Sequence, residues 1–319
     1  MFDLFLWAVI FIAGFFVLIK ASDYFVNSAE KVGIHFGMPA FIVGVTIVSI
    51  GTSLPELLVS IISVFRGASE IVIGNIVGSN ITNIFLVLGV TAIVGRKIRI
   101  TYEISKIDLP LLFGSTFLLA VCSWDGAFTF FEALLCIAGF LVYIFYTINV
   151  EKKHKDKEIK KELNGALKKK KLASKTWITM ILSVFFIYVG SKLVVESVIN
   201  LSELLNIGVG VIAVTVVALG TSLPELVVSV TAAIKHKPEM AIGNILGSNI
   251  FNALAIVGVS GLFGTLLIPA NIISFGIPMM IIATFLYVFM TQDKFVSKWE
   301  GWLLICFYVF FIGKLFGLF

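Results

Sequence analysis

The sequence predicts an all-α polytopic membrane protein of ten transmembrane helices, arranged as two inverted five-helix repeats. An apolar composition, apolar segments of membrane-spanning length and an internal repeat support this prediction. Of the 319 residues, 59% are hydrophobic and only 13% are charged, with a mean hydropathy of +1.06. Water could not solvate the surface of a globular domain with that composition, so a soluble domain is excluded.

Apolar runs of about 20 residues, the length that crosses a bilayer core, define the predicted helices. They cover residues 4–27, 38–65, 71–95, 108–124, 128–149, 176–201, 208–234, 240–264, 272–291 and 299–318. The first run is longer than a signal-peptide core and lacks a basic start, so we predict a helix there. Cys122, Cys136 and Cys306 lack paired spacing and therefore indicate neither a disulfide framework nor a metal site.

The basic residues predict the orientation of these helices. One side of the membrane receives nearly all of them: Lys31, Arg96, Lys97, Arg99, Lys106, Lys235, Lys237, Lys294, Lys298 and the lysine-rich segment 151–175. The other side has Arg66 in its loops. For a protein of the cell membrane, the positive-inside rule then places both termini on the side opposite the cytoplasm. This topological role explains the basic pI without nucleic acid, and weak attraction to anionic lipid heads is the alternative for the basic segment.

An internal repeat relates the two halves of the chain. Shifted by 169 residues, 43–90 aligns with 212–259, and about half of the aligned positions are identical. The sequence GTSLPE at Gly51–Glu56 recurs at Gly220–Glu225, and GNIVGSNITN recurs as GNILGSNIFN. Inverted repeats with interrupted helices at matching positions indicate a transporter whose binding site lies near the membrane midplane.

The repeat also sets the predicted domain boundaries. The first five-helix repeat covers 1–150, a cytoplasmic linker covers 151–175, and the second repeat covers 176–319. Because five is an odd number, the second repeat enters the membrane from the opposite side. The repeats are therefore inverted about an axis in the membrane plane.

The proline and glutamate of each motif predict a break in a membrane helix. Pro55 has no N–H and its ring clashes with the preceding turn, so the helix should break or kink just before it. Carbonyls freed around Ser49, Gly51 and Thr52 then need protein partners or a watery cavity. Pro55 suits the first turn of the following half-helix, which places Glu56 at a positive helix end. Because a charge at this depth costs several kcal/mol, a purely structural glutamate is disfavoured.

The next helix of each repeat presents a polar face. Asn75, Ser79 and Asn83 are spaced i, i+4 and i+8, and the second repeat has the same pattern. Interhelical packing by glycines and polar side chains is the structural alternative. Joining the two copies predicts a site of oxygen ligands: Glu56, Glu225, Thr52, Thr221, Ser53, Ser222, Ser79, Ser248, Asn83, Asn252 and freed carbonyls.

Oxygen ligands with two carboxylates suit a hard cation such as Ca²⁺. Two negative charges match one Ca²⁺ or two monovalent ions, so either load neutralises the pair, whereas an empty site leaves both charges uncompensated. A carrier without bound cations would then switch slowly between its inward-open and outward-open conformations. Because each switch then requires a bound ion, the two ions move in opposite directions, which predicts counter-transport.

At these residues the chain resembles the sodium/calcium exchangers of the cation/calcium exchanger superfamily, whose alpha-repeats carry the paired GTSLPE and GN-I-GSNI-N motifs. The resemblance covers both repeats and the ten-helix layout. It implies a short-linker, prokaryotic-type exchanger that uses an inward Na⁺ gradient to expel Ca²⁺. No cofactor is expected, and the oligomeric state stays open, with a functional monomer as one option. It also implies alternating access by sliding of the first and sixth helices past a fixed core.

The resemblance further implies roles for individual residues. Glu56 and Glu225 would bind both Ca²⁺ and Na⁺, and the carbonyls of Thr52 and Thr221 would complete the Ca²⁺ site. The residues that would hold flanking Na⁺ ions are Ser53, Ser79, Ser222 and Ser248, with the carbonyls of Ser49 and Ala218. Asn83 and Asn252 would lie at the centre.

Two positions depart from the family pattern. Relatives often carry an aspartate at one of the positions matching Asn83 and Asn252, whereas both are asparagine here, which leaves the stoichiometry and any K⁺ requirement open. Asp23 has Lys192 as its counterpart, where the related motif usually has an acidic residue. Lys192 is predicted to pair with Glu196 one turn away.

Other functions stay open at this point. A H⁺/Ca²⁺ antiporter, a K⁺-dependent Na⁺/Ca²⁺ antiporter, a passive cation channel and a cation sensor are the alternatives to Na⁺/Ca²⁺ exchange. Channels build selectivity from rings around an axis, whereas this chain offers a single twofold pair. An enzyme is not expected, because the sequence has neither a nucleophile–base pair nor a phosphate loop.

Overall fold

The computed structural model describes residues 2–67, 69–95, 97–104, 107–153, 173–204 and 209–318. Helices of the first repeat are α1 (Phe2–Phe36), α2 (Ala40–Thr52), α3 (Leu54–Phe65), α4 (Glu70–Gly95), α5 (Asp108–Cys122) and α6 (Phe130–Lys153). Those of the second are α7 (Ser174–Leu204), α8 (Val209–Ile234), α9 (Pro238–Gly261), α10 (Ile272–Thr291) and α11 (Lys298–Leu315). Each of the ten predicted apolar segments therefore contains at least one helix in the described part of the chain. Most of the predicted linker, residues 154–172, lies outside the described residues.

Six helices of the described chain are long and apolar enough to cross a membrane, and α2 with α3 makes a seventh if the bent pair is one span. The distribution of apolar and polar side chains between surface and interior agrees with a membrane location. Large apolar side chains such as Phe65, Trp124 and Phe131 face outward, whereas asparagine, serine and glutamate side chains of the repeat motifs are buried. Such a distribution is the reverse of that expected for a protein folded in water.

Four short strands link the two repeats: β1 (Lys97–Arg99), β2 (Ala127–Phe128), β3 (Leu266–Leu267) and β4 (Phe295–Ser297). β1 pairs antiparallel with β4, with Ile98 opposite Val296, and β2 pairs antiparallel with β3, with Phe128 opposite Leu266. The 169-residue shift carries β1 onto β3 and β2 onto β4. The repeat relation therefore exchanges the two sheets, and each sheet contains one strand from each repeat.

The apolar core has two parts. The larger part joins α2, α4, α5, α6, α9, α10 and α11. A smaller cluster attaches α1 and α7 to the rest through residues such as Phe25, Ile187 and Val228. The pair α1–α7 thus packs together at the periphery of a larger helical core.

The two motif prolines have different effects on their helices. In the first repeat, α2 ends at Thr52, α3 begins at Leu54 with Pro55 in its first turn, and the two axes differ by 42°. The predicted break is therefore confirmed there. In the second repeat, α8 runs from Val209 to Ile234 through Pro224, so no break is present at the matching position, and a kink there stays a prediction.

A hydrogen bond from a neighbouring helix explains the difference. A proline cannot donate to the carbonyl four residues earlier, which leaves the Gly51 and Gly220 carbonyls without their usual helical donors. Ser191 Oγ on α7 donates to the Gly220 carbonyl oxygen at 3.1 Å. Its repeat counterpart Ser22 instead donates to Leu18 O within α1 at 2.8 Å. The replacement donor lets α8 continue through its proline.

Candidate functional site

The bend between α2 and α3 brings the first motif against the second. Glu56 and Glu225 are both buried, at 1% and 0% exposure. Ser53, the residue at the bend, donates its hydroxyl to Glu225 Oε1 at 2.8 Å. The site is thus shared between the repeats, because a residue of the first motif binds the carboxylate of the second.

The asparagines of the two motifs form a reciprocal pair of hydrogen bonds. Asn83 Nδ2 donates to Asn249 Oδ1 at 3.2 Å, and Asn252 Nδ2 donates to Asn80 Oδ1 at 3.1 Å. The 169-residue shift exchanges these two bonds. Each predicted central asparagine is therefore held by an asparagine of the other repeat.

Asn80 and Asn249 belong to the candidate site, and the sequence analysis did not select them. Both belong to the GSN triplet that occurs in each repeat, next to the predicted Ser79 and Ser248. The presence of the same asparagine in both repeats was the sequence signal that could have identified them. The i, i+4, i+8 pattern did not select them because they lie on a neighbouring stripe of the helix.

The hydrogen bonds orient the remaining oxygen atoms. Because the Nδ2 atoms of Asn83 and Asn252 are used, their Oδ1 atoms become the free ends of the amides. Among the described residues, these two atoms and the Oε2 atoms of Glu56 and Glu225 have no hydrogen-bond donor. Four buried acceptors without donors are costly in a protein interior unless a cation satisfies them. This donor set fits a hard cation.

The hydroxyls of the site differ in their partners. Ser222 Oγ and Ser248 Oγ have no hydrogen-bond partner within the described part of the chain. Thr52 Oγ1 donates to Asn244 Oδ1 at 3.3 Å, and Asn244 Nδ2 donates to Ser229 Oγ at 2.8 Å. Ser222 is thus available to a ligand, whereas its counterpart Ser53 is bound to Glu225.

Stretches of π-helix lie beside the site. One runs over Asn83–Leu88 and the other over Phe251–Ile256, so each covers the central asparagine of its repeat. A third, Gly44–Val48, immediately precedes Ser49. Such wider turns are rare and occur frequently at functional sites. Helical periodicity in the sequence did not predict them.

Two glycines bring α9 against α2. A Cβ atom at Gly243 would collide with the carbonyl oxygen of Phe41, and one at Gly247 would lie 2.6 Å from Ser49 Oγ. Small residues four apart allow this approach of two backbones. The close contact fixes the position of Ser49 at the end of α2.

The described residues include most of the predicted ligands, and all of these are buried: Ser49, Thr52, Ser53, Glu56, Ser79, Asn83, Ser222, Glu225, Ser248 and Asn252. For Thr221 and Ala218 the backbone belongs to α8, but their side chains lie outside the described part of the structure. The predicted ion pair of Lys192 with Glu196 is present at 3.6 Å.

The chain is similar to known sodium/calcium exchangers. The chain matches the family described as "Sodium/calcium exchanger protein" over residues 6–149 and 175–316. It is 36% identical to the sodium/calcium exchanger MaX1 of Methanosarcina acetivorans, over 96% of this chain and 97% of that protein.

Solved structures of the sodium-calcium exchanger NCX_Mj share the fold. The structure soaked with zero Na⁺ and Ca²⁺ has a TM-score of 0.83 and 30% identity, and covers 98% of this chain and 99% of that chain. The one soaked with 2.5 mM Na⁺ and 0.1 mM Ca²⁺ has a TM-score of 0.82 and 31% identity, with 97% and 98% covered. The fold is therefore that of an all-helical, multi-pass membrane protein. Because the family match covers most of the chain, this protein belongs to the sodium/calcium exchanger family.

Proposed function

We propose that the chain is a secondary-active antiporter that exchanges Na⁺ for Ca²⁺ across a cell membrane by alternating access, with the inward Na⁺ gradient driving Ca²⁺ extrusion. One observation carries this proposal. Each repeat contributes one carboxylate oxygen and one amide oxygen to a group of four buried acceptors that have no donor among the described residues. Family membership supports Na⁺ and Ca²⁺ as the transported ions.

Charge neutralisation is the physical basis of the exchange. Two buried carboxylates in an apolar protein are unfavourable without cations. One Ca²⁺ neutralises the pair, and two Na⁺ ions do so equally well. Conformational change is then fast in either loaded state and slow in the unloaded one, which couples the two fluxes.

Individual ligand roles follow from this scheme. Glu56 and Glu225 bind either cation, and the carbonyls of Thr52 and Thr221 complete the Ca²⁺ site. The proposed ligands of flanking Na⁺ ions are Ser53, Ser79, Ser222 and Ser248, with the carbonyls of Ser49 and Ala218. The free Oδ1 atoms of Asn83 and Asn252 support a central position for both amides.

The membrane topology is part of the proposal. Ten crossings in two inverted repeats place both termini outside, the turn Lys235–Lys237 in the cytoplasm and Arg66 outside. The paired strands support this arrangement, because β1 and β4 would share the cytoplasmic face and β2 and β3 the opposite face. Outward-facing apolar side chains such as Phe131 would contact lipid.

The direct test is a flux measurement on the purified protein in proteoliposomes. An imposed Na⁺ gradient should drive ⁴⁵Ca²⁺ uptake, while K⁺ and H⁺ gradients of equal size should not. Uptake that follows the pH gradient without Na⁺ would instead establish H⁺/Ca²⁺ antiport, and a K⁺ requirement would establish the K⁺-dependent class. Single-channel current steps in planar bilayers would show that the protein is a channel and would refute antiport.

A further inference from the structure

Two ion pairs tie α1 to the turn between α8 and α9. Lys235 Nζ lies 3.2 Å from Asp23 Oδ1 and also donates to the backbone carbonyl of Asp23 at 3.2 Å. Lys237 Nζ pairs with Glu30 two turns further along α1. All four side chains are 16–39% exposed, so solvent screens these pairs less than fully exposed ones.

The turn that carries the two lysines is fixed to the larger core. Lys237 precedes the first turn of α9, and Glu239 in that turn accepts hydrogen bonds from Thr101 Oγ1 at 2.6 Å and from Tyr102 N at 3.0 Å. The segment 100–104 follows β1, which is itself paired with β4. The ion pairs therefore connect α1 to the core and not to an isolated loop.

α1 and α7 are among the least buried of the long helices, together with α6. In their most apolar stretches 17% of the residues of α1 and 22% of those of α7 and of α6 are buried, against 78% in α4 and 94% in α9. The cluster that α1 and α7 share with α2, α8 and α9 is separate from the larger core. A peripheral helix pair of this kind can slide along the core with little repacking. Polar contacts at its ends therefore contribute a large part of the free-energy difference between its two positions.

Among the described residues, such ion pairs between α1 or α7 and a turn of the core occur on one face. The 169-residue shift carries Asp23 to Lys192 and Lys235 to Arg66, so an attractive pair on one face corresponds to two cations on the other. Lys192 pairs with Glu196 of its own helix, and Arg66 forms no ion pair with a described residue. Like charges repel. When the repeats exchange conformations, the second face therefore gains no equivalent connection.

We infer that Asp23, Glu30, Lys235 and Lys237 are positioning residues that form a one-sided latch, which favours the conformation closed on the Lys235 face. This inference rests on the proposed function, because it assigns the latch a role in the facing equilibrium of the antiporter. Two partly exposed ion pairs shift the equilibrium between the two conformations by about 2- to 30-fold, and the apparent affinity on each side follows the population of the state open to that side.

The double variant Asp23→Asn, Glu30→Gln tests the latch in oriented proteoliposomes. The apparent KM for Ca²⁺ should fall by about 2- to 30-fold on the Lys235 face and rise on the Arg66 face. A merely structural role would lower the maximal rate without opposite KM shifts. The swap Asp23→Lys with Lys235→Asp should restore the wild-type KM values. Glu103→Gln, which removes the 2.9 Å pair with Lys294 outside α1, is the matched control and should leave both KM values unchanged.

The mirror variant Lys192→Asp gives an independent test. It places an acid opposite Arg66 and should stabilise closure of that face, so its KM shifts should have the same signs as those of the double variant. Equal KM values in wild type and all variants would overturn the latch.

Failure of the latch can be separated from failure of the proposed function. Wild-type protein without Na⁺-driven Ca²⁺ flux would refute the function. The latch is then tested by spin-label distances between Lys31→Cys on α1 and Arg99→Cys on β1, both exposed, in a Cys306→Ser background. Neutralising Asp23 and Glu30 should lengthen or broaden that distance distribution, and an unchanged distribution refutes the latch.

Discussion

Ser191 donates its hydroxyl to the carbonyl oxygen of Gly220 at 3.1 Å, and this contact between α7 and α8 replaces the hydrogen bond that Pro224 cannot make. The first repeat has no such replacement from Ser22, and its helix bends there by 42°. One hydroxyl thus makes the two halves of the site unequal.

The variant Ser191→Ala should destabilise the protein by about 1–3 kcal/mol, because it leaves the Gly220 carbonyl without a donor. Thermal unfolding in detergent measures the effect. Ser22→Ala is the matched control: its hydroxyl bonds within α1, so a smaller change is expected. Equal losses of stability in both variants would contradict the assignment.

Neutralising either carboxylate should remove transport. Glu56→Gln and Glu225→Gln each leave a single carboxylate, so bound Ca²⁺ or two bound Na⁺ ions carry one uncompensated positive charge, and removing one partner of a buried charged pair costs about 3–5 kcal/mol. We expect Na⁺-driven ⁴⁵Ca²⁺ uptake to fall at least about 100-fold. Glu70→Gln, at an exposed glutamate on α4, should retain wild-type uptake. Substantial uptake by Glu56→Gln or Glu225→Gln would exclude that carboxylate from the site.

The reciprocal amide pair predicts a role for a residue outside the motif stripe. Asn80→Ala removes the acceptor of Asn252 Nδ2, so the Asn252 side chain is free to turn and its Oδ1 is no longer held in place. The apparent KM for Ca²⁺ should rise by about tenfold, corresponding to about 1.4 kcal/mol for one lost hydrogen bond. Asn249→Ala should act in the same way through Asn83. An unchanged KM in both variants would show that these bonds do not position the amides.

The contact between α2 and α9 should not tolerate an added methyl group. Gly247→Ala would place a carbon atom 2.6 Å from Ser49 Oγ, and overpacking of this kind costs about 1–3 kcal/mol. We expect a lower unfolding temperature together with weaker Na⁺ dependence, because Ser49 shifts. Gly114→Ala in α5 meets no described atom within 4 Å and should leave stability unchanged or raised.

The proposed orientation can be checked by labelling single cysteines in intact cells. In a background lacking Cys122, Cys136 and Cys306, a membrane-impermeant maleimide should label Arg66→Cys from outside and His236→Cys only after permeabilisation. Both positions lie in turns between helices. The reverse pattern would invert the topology and with it the face on which the latch acts.

Sequence reasoning predicted the helices and most of the site because each depends on local chemistry. Apolar runs give the segments, and Glu56, Asn83 and their counterparts are conspicuous as polar residues in apolar surroundings. The continuity of α8 could not be predicted, since it depends on a hydroxyl from α7 that is distant in sequence. The π-helices and the partners of the amides likewise depend on how two helices meet.

The strand pairs affect the order in which the protein can fold during synthesis. β1 ends at Arg99, whereas its partner strand β4 begins at Phe295. Asn83 is likewise synthesised long before its hydrogen-bond partner Asn249. The first repeat therefore emerges from the ribosome with a loop edge and a buried amide that have no partners for most of translation. Insertion of the helices can proceed one by one, but the ion site is complete only when α9, which carries Asn249 and Asn252, has entered the membrane.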